Sequence, residues 1–353
     1  MTVNKHLMVV AGGTGGHIFP GIAVAEHMQQ QDWTVSWVGT ADRMEAQLVP
    51  KHGFDIDFVE VQGVRGNGIT RLLKAPFMVL KAILAAKKII KQRKPAVILA
   101  MGGYVTGPVG IAAKLSGVPL VIHEQNAVAG FSNKLLAKVA NHVLAAFPNA
   151  FTNKAEVVGN PVRTSVSSIA KKSHTEQLNV LVVGGSLGAQ VLNERLPEVF
   201  STLAKDFSLR VRHQSGRNNQ DKLKSAYVCR ELDAQVDEFI HDMDAAYTWA
   251  DLVICRAGAL TVSEVAAAGK AALFVPLPHA VDDHQTANAR YLVDQQGGLL
   301  ISQQDFTTER LVELLTPYFE QPSLLSEIAD KAKQLARFDA TERVAKVCGE
   351  LAK

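Results

Sequence analysis

The sequence predicts an α/β protein of two doubly wound domains, and three observations carry that expectation. Apolar, strand-like runs alternate with helical patterns along nearly the whole chain. The runs are continuously apolar, which marks strands of a parallel sheet covered on both faces. The pattern also restarts. An apolar strand, a glycine pair, a small hydroxyl residue, a further glycine and a helix open the chain at Leu7 and return at Leu178. A length of 353 residues suits two domains that each bury a core of their own.

Candidate strands in the first half run Leu7–Val10, Thr34–Val38, Val97–Met101, Leu120–Ile122 and Val143–Ala145. In the second half they run Val180–Val183, Leu209–His213, Leu252–Cys255 and Ala272–Val275. An alternating run from Phe54 to Val61 is strand-like as well. Between the halves, Thr164–Gln177 is polar, rich in Ser and Lys, and without a clear period, so it reads as a linker. In sheets of this kind ligands sit at the carboxyl ends of strands. The loops that follow strands are therefore where function is sought.

The first such loop is Ala11–Pro20, four glycines around Thr14 and His17. A helical pattern follows it, with Ile18, Ile22, Ala25 and Met28 at spacings of three and four. Glycine permits positive φ and close approach to bare backbone. The N–H groups at a helix start attract anions, phosphate above all. Two familiar patterns fail here. A dinucleotide fingerprint counted from Gly13 needs glycine where Ile18 stands, and no Gly-Lys-Ser/Thr ending makes a P-loop. The loop reads as a phosphate cradle of neither common kind, or as a tight turn alone.

Composition excludes several classes. Apolar residues at 47% and charged residues at 20% are those of a globular protein. A net charge of +3 is too small to argue for nucleic acid. Cys229, Cys255 and Cys348 form no C-x-x-C pair, which fits a reducing cytosol. The chain reaches the core strand Leu7–Val10 within a few residues, so no signal peptide is expected. No run of eighteen uncharged apolar residues is present to span a membrane. One stretch stands apart. From Arg71 to Lys94, apolar residues interleave with basic ones and no acidic residue interrupts them. Lys74, Lys81 and Lys88 share one side of a helix, and Pro76 suits its first turn. Such a helix reads as a membrane-surface element facing anionic lipid, or as an ordinary surface helix with its apolar side in the core.

Further polar and glycine clusters follow other strands: Met101–Pro108, His123–Asn126, Gly159–Arg163, Arg256–Glu264, and Pro276–His279 with Asp282–Asn288. Arg163 sits at the domain junction, placed for a phosphate or carboxylate. Glu264 falls in a first helical turn, where a carboxylate stabilises its own helix or accepts both hydroxyls of a ribose. Asp55-Ile56-Asp57 has the D-x-D form of a metal–diphosphate site, but it lies inside the alternating run and reads as surface carboxylates. Asp282-Asp283-His284 is flanked by amides rather than further ligands. Neither a metal nor a cofactor is expected.

Seven of these stretches together, Gly12–Pro20, Gly102–Pro108, His123–Asn126, Gly159–Arg163, Gly184–Gln190, Ala259–Glu264 and Asp282–Asn288, resemble the motif set of the MurG family. These are the UDP-N-acetylglucosamine:N-acetylmuramyl-(pentapeptide) pyrophosphoryl-undecaprenol N-acetylglucosamine transferases. The likeness runs in consistent order from about residue 6 to about residue 345. It implies a GT-B fold, two Rossmann-like domains with a deep cleft between them. Residues 1–163 would take the acceptor and the membrane, and residues 164–336 the UDP-sugar. A C-terminal helix at about 337–353 would pack back on the first domain.

The implied reaction moves N-acetylglucosamine from UDP-N-acetylglucosamine to the C4 hydroxyl of the muramyl sugar of lipid I, the undecaprenyl-diphosphate-linked muramyl pentapeptide. The product is lipid II for peptidoglycan synthesis, formed with inversion. Carried over, backbone near Ile240 would hold uracil and Glu264 the ribose. Ser186 with Ala259, Leu260, Thr261, Val262 and Ser263 would hold the diphosphate, and Gln285 and Asn288 the sugar hydroxyls. Thr14, Gly15, Gly16, Asn126 and Arg163 would close the site from the N-terminal side. Inversion needs a base on the attacking hydroxyl, and His17 is the first candidate with Glu124 the rival. Without a metal, helix N-termini and backbone N–H groups must stabilise the leaving diphosphate.

The resemblance further implies a peripheral protein on the cytoplasmic face of the bacterial inner membrane. It would contact an anionic membrane surface and other cell-wall enzymes, and no nucleic acid. The alternatives within the fold are a UDP-sugar 2-epimerase and another GT-B glycolipid synthase. A nicotinamide-dependent oxidoreductase is disfavoured by the failed fingerprint and by Gly39-Thr40 at the end of the second strand, where a ribose-binding acid belongs.

Overall fold

The computed structural model describes residues 5–61, 69–151, 155–171, 177–185, 188–278 and 283–352, with backbone alone for 69–75. Two compact units result: Met1–Val162 together with Arg337–Lys353, and Arg163–Ala336.

The first unit runs β1 (His6–Ala11), α1 (Gly15–Gln29), β2 (Thr34–Gly39), α2 (Met44–Lys51), β3 (Asp55–Phe58), α3 (Ile69–Arg93) and β4 (Val97–Gly102). It continues with α4 (Thr106–Leu115), β5 (Leu120–Glu124), α5 (Phe131–Leu136), β6 (His142–Ala145) and β7 (Glu156–Val157). Its seven strands are ordered β3-β2-β1-β4-β5-β6-β7, and all pairs are parallel. The apolar run of β1 explains the layering. Side chains alternate across a strand, so Leu7, Val9 and Ala11 enter one core with Ile18 and Ile22 of α1. Met8 and Val10 enter the opposite core with Ala82, Ala86 and Ile90 of α3 and Val109 of α4.

The second unit begins with α6 (Thr164–Ser167), β8 (Leu178–Val183), α7 (Gln190–Leu203), β9 (Leu209–Gln214), α8 (Gln220–Val228) and β10 (Ala234–Asp237). Then come α9 (Met243–Trp249), β11 (Leu252–Cys255), α10 (Ala259–Ala268), β12 (Ala271–Phe274), α11 (His284–Val293) and β13 (Leu299–Leu300). Helices α12 (Thr308–Glu320) and α13 (Ser323–Gln334) complete it. Its parallel sheet is ordered β10-β9-β8-β11-β12-β13. The last helix, α14 (Ala340–Leu351), belongs to the first unit, where Val344, Ala345, Val347 and Cys348 join the α1 core.

Several details differ from the sequence reading. Strands β7, β10 and β13 were not anticipated: they have two to four residues and lie at sheet edges, too short for an apolar run. Part of the expected linker is helix α6, with Val166 and Ile169 buried. Pro76 lies inside α3 rather than in its first turn, because the helix starts at Ile69. On α3 the basic stretch has a core-facing side and an exposed apolar side. Ala82, Ala86 and Ile90 face the core, while Phe77, Leu80 and Leu84 are 77%, 54% and 59% exposed. Lys81 is held by Glu60 at 2.7 Å. Asp55 and Asp57 both bind Arg93, at 3.0 and 2.8 Å.

Candidate functional site

In the first unit the chain leaves β1 toward β2 and β3, then crosses to β4 on the other side. The switch point therefore lies at the carboxyl ends of β1 and β4, where a crevice opens in such sheets. The loops there are in backbone contact. Gly12 N–H donates to Gly102 C=O at 3.3 Å. Gly103, at φ +94°, lies so near that a Cβ on it would stand 2.4 Å from Gly12 O. Gly13, at φ +93°, turns the chain into α1, and its N–H donates to Glu45 Oε2 at 3.0 Å. The N–H groups of His17 and Ile18 return to Thr14 C=O at 3.1 and 3.2 Å. Thr14 is the N-cap of α1, so Gly15 and Gly16 open its first turn, the end of a helix that attracts anions.

His17 folds back over this loop. Its Nδ1 lies 3.3 Å from Gly12 O. A carbonyl accepts only from N–H, so Nδ1 carries the proton and Nε2 the lone pair in the neutral ring. The ring rests on Gly102, where a Cβ would come within 2.7 Å of Cδ2 and 2.9 Å of Nε2.

Glu124 is buried and accepts four hydrogen bonds. Oε1 takes Asn126 N–H at 2.9 Å and Asn126 Nδ2 at 3.2 Å. Oε2 takes Gly130 N–H at 3.0 Å and Asn133 Nδ2 at 2.9 Å. With both oxygens so engaged, this carboxylate shapes the loop that carries Asn126. Neighbouring His123 is fully buried, its Nε2–H donating to Gly159 O at 2.9 Å and its Nδ1 accepting from Gln125 Nε2 at 3.1 Å. Burial brings its pKa down to about 4, so it is neutral at neutral pH. Asn160 Nδ2 donates to Gln125 O at 3.1 Å, tying the loop after β7 to the loop after β5.

In the second unit a cavity of about 800 Å³ opens at the carboxyl ends of β8, β11 and β12, lined by Gly184, Gly185, Gly188, Arg256, Thr261 and Gln285 among others. Helices α7 and α10 begin at its wall. Gly188, at φ +76°, lies against the loop after β9, and a Cβ on it would stand 2.2 Å from Ser215 O. In α10, Val262 N–H donates to Gly258 O at 3.0 Å and Ser263 Oγ to Ala259 O at 3.0 Å. The anion-binding capacity of the 259–263 stretch is thus confined to its first turn. Ser186 lies outside the described residues.

Glu264 stands in the second turn of α10, not the first as the sequence suggested, because the helix starts at Ala259; it is 9% exposed, and burial raises its pKa. Tyr247 Oη donates to its Oε2 at 3.1 Å, and Arg163 Nη2 approaches Oε1 at 3.4 Å. Arg163, read from the sequence as closing the site from the N-terminal side, belongs to the second unit and also lies 3.8 Å from Asp244. Asn288 is fully buried, with Nδ2 donating to Ala257 O at 3.1 Å. Gln285 Oε1 accepts Leu277 N–H at 2.9 Å. Ile240 is buried, and its N–H is 3.5 Å from Gln214 Oε1.

Sequence reasoning missed three residues. Glu45 and Tyr247 reach in from helices that carry no motif. Arg256 stood within a quoted stretch but was assigned no role. It lines the cavity, with Nη1 on Val275 O and Pro276 O at 3.0 and 3.1 Å and Nη2 on Gln303 Oε1 at 2.7 Å.

Two parallel α/β units in one chain, one with a cavity walled by a glycine loop and helix N-termini, have the architecture of GT-B glycosyltransferases. Residues 7–145 match the glycosyltransferase family 28 N-terminal domain, and residues 179–344 match the family 28 C-terminal domain. Within glycosyltransferase family 28, the chain belongs to the MurG family. It is 61% identical over 353 residues, 99% of each chain, to the UDP-N-acetylglucosamine–N-acetylmuramyl-(pentapeptide) pyrophosphoryl-undecaprenol N-acetylglucosamine transferase of Pseudoalteromonas translucida (strain TAC 125). The crystal structure of Acinetobacter baumannii MurG is 46% identical, with a TM-score of 0.86 over 98% of this chain and 99% of that one. A UDP-N-acetylglucosamine 2-epimerase structure matches at a TM-score of 0.70 over 98% of this chain and 95% of that one. At 12% identity it shares the fold alone.

The seat of His17 gives a direct test. Gly102→Ala places a methyl within 3 Å of the imidazole at a φ of +122°, so the ring must move. The sequence reading of His17 as a base predicts that transfer activity falls at least about 100-fold, because a catalytic group displaced by an ångström loses most of its contribution. Wild-type activity in Gly102→Ala would show that His17 need not stand where it does.

Proposed function

We propose that this protein moves N-acetylglucosamine from UDP-N-acetylglucosamine to the C4 hydroxyl of the muramyl sugar of lipid I, giving lipid II. The observation that carries this reading is the full-length identity of 61% to a transferase named for that reaction. The donor is read on the second unit. Backbone near Ile240 holds uracil, Glu264 accepts the ribose hydroxyls, and Gln285 and Asn288 meet the sugar. The diphosphate lies in the cavity at the starts of α7 and α10, with Ser186 among its ligands. Arg256 adds a fixed cation to the same wall. Amides and a guanidinium already held by the fold need no reorganisation as charge develops on the leaving phosphate.

The acceptor is read on the first unit, its diphosphate at Thr14–Gly16 and its sugar near Asn126. His17 Nε2 takes the proton of the C4 hydroxyl. As that O–H bond breaks, O4 bonds to C1 of N-acetylglucosamine, and the C1–O bond to UDP breaks on the opposite face, inverting C1. The Nδ1–H contact to Gly12 supports this role, since it leaves the lone pair on Nε2. Glu124 positions Asn126 rather than taking the proton, because its two oxygens already accept four bonds.

A lipid-linked acceptor requires the enzyme to work at a membrane. Among the described residues no helix is long and apolar enough to cross one. We read the protein as peripheral, on the cytoplasmic face of the bacterial inner membrane. Supporting this, α3 presents exposed Phe77, Leu80 and Leu84 beside exposed Lys87, Lys88 and Lys91. Packed next to it, α4 exposes Ile111 and Leu115. Apolar insertion combined with basic side chains is what anionic lipid selects.

Two experiments follow. UDP release from UDP-N-acetylglucosamine is expected only when a lipid I analogue is present. His17→Ala should lower kcat by about 10²–10⁴ with donor affinity unchanged. Release without acceptor would point to a hydrolase or epimerase, and an unimpaired His17→Ala would remove the base. Separately, replacing Lys87, Lys88 and Lys91 by Glu should weaken co-sedimentation with anionic vesicles; unchanged binding would refute the docking surface.

A further inference from the structure

Glu45 is fully buried in the first turn of α2, yet it neither caps that helix nor touches a ligand in the reading above. Burying a carboxylate is costly unless donors surround it. Three do. Oε1 accepts Thr40 N–H at 2.9 Å and Thr40 Oγ1–H at 2.6 Å, and Oε2 accepts Gly13 N–H at 3.0 Å. The surrounding chain makes room for it with two glycines. A Cβ on Gly12 would stand 2.4 Å from Glu45 Oε1, and a Cβ on Gly39 would stand 2.6 Å from its Cγ. Gly12, the first glycine of the loop, is therefore required by this side chain.

The bond to Gly13 has a particular consequence. Gly13 N–H and Gly12 C=O belong to one planar peptide unit. Glu45 holds its N–H, and His17 Nδ1–H donates to its C=O at 3.3 Å. We infer that Glu45 is a positioning residue that orients His17 through the Gly12–Gly13 peptide, fixing the tautomer with the lone pair on Nε2. A carboxylate on the N–H polarises the peptide and makes its C=O a stronger acceptor. The arrangement does what a buried carboxylate does for a catalytic histidine by direct contact, with one peptide interposed. The inference rests on the reading of His17 as the base.

Glu45→Gln is isosteric but cannot accept at both ends. Whichever way the amide turns, its NH₂ faces either Gly13 N–H or the two Thr40 donors. The expected loss in kcat is about tenfold, the fall when the productive His17 tautomer drops to about a tenth of the population, with affinity for the sugar donor unchanged. In the Glu45→Gln/His17→Ala double variant the losses should not add: the double variant should match His17→Ala. In the free protein, ¹⁵N NMR of the His17 ring should show Nε2–H tautomer gained in Glu45→Gln. Thr40→Val, which removes one donor to Glu45 and nothing else, should shift both readouts in the same direction and by less, and serves if Glu45→Gln does not fold. Losses that multiply with His17→Ala, or an unchanged tautomer, would overturn the inference while leaving the base reading intact. An unimpaired His17→Ala would remove both.

Discussion

The approach of one bare backbone to another at the ends of central strands is the contact on which both units depend. In the first unit Gly103 lies against the carbonyl of Gly12. In the second, Gly188 lies against the carbonyl of Ser215. A side chain at either place would collide with backbone at 2.4 or 2.2 Å, and neighbouring strand-end loops could not close together. In each unit that closeness lies beside a helix start, α1 in the first and α7 in the second. The same physics accounts for the repeated pattern of strand, glycines and helix in each half.

Around these loops, buried carboxylates set geometry. Glu45 fixes the peptide before Gly13, Glu124 fixes the loop of Asn126, and Glu264 is clasped by Tyr247 and Arg163. Each is buried, and each accepts hydrogen bonds from the donors around it, though at Glu264 burial still outweighs them and raises the pKa. Buried polar groups satisfied in this way specify one arrangement, because any alternative leaves a donor or acceptor unpaired. His17 is held differently: it is half-buried at the start of α1, where a substrate hydroxyl can reach it.

Much of this was legible in the sequence. The long central strands carry continuous apolar runs, and the glycine motifs sit at strand ends, so the two-unit parallel architecture followed from pattern alone. Edge strands such as β7 and β13 escaped because two residues carry no period. His17, Glu124, Asn126 and Glu264 stood in motifs, and the structure puts them in α1, at the end of β5, in the loop after it and in α10. Glu45 and Tyr247 were missed, since their importance lies in which distant atoms they reach. Gly12 was legible as a glycine but misread in cause: it looked like room for a phosphate and is room for Glu45. Arg163 was legible as an arginine at the domain junction, but its partner Glu264, 101 positions away, could not be read from spacing.

Close backbone approach in the second unit shapes the cavity in which UDP-N-acetylglucosamine is proposed to bind. Calorimetric titration of UDP-N-acetylglucosamine into Gly188→Ala tests it most directly. The added methyl at φ +76° meets Ser215 O and must open the loop. Affinity is expected to be lower by about tenfold or more, the cost of a strained left-handed residue or of the displaced loop, with the protein still folded. Donor affinity equal to that of the unaltered protein would contradict it.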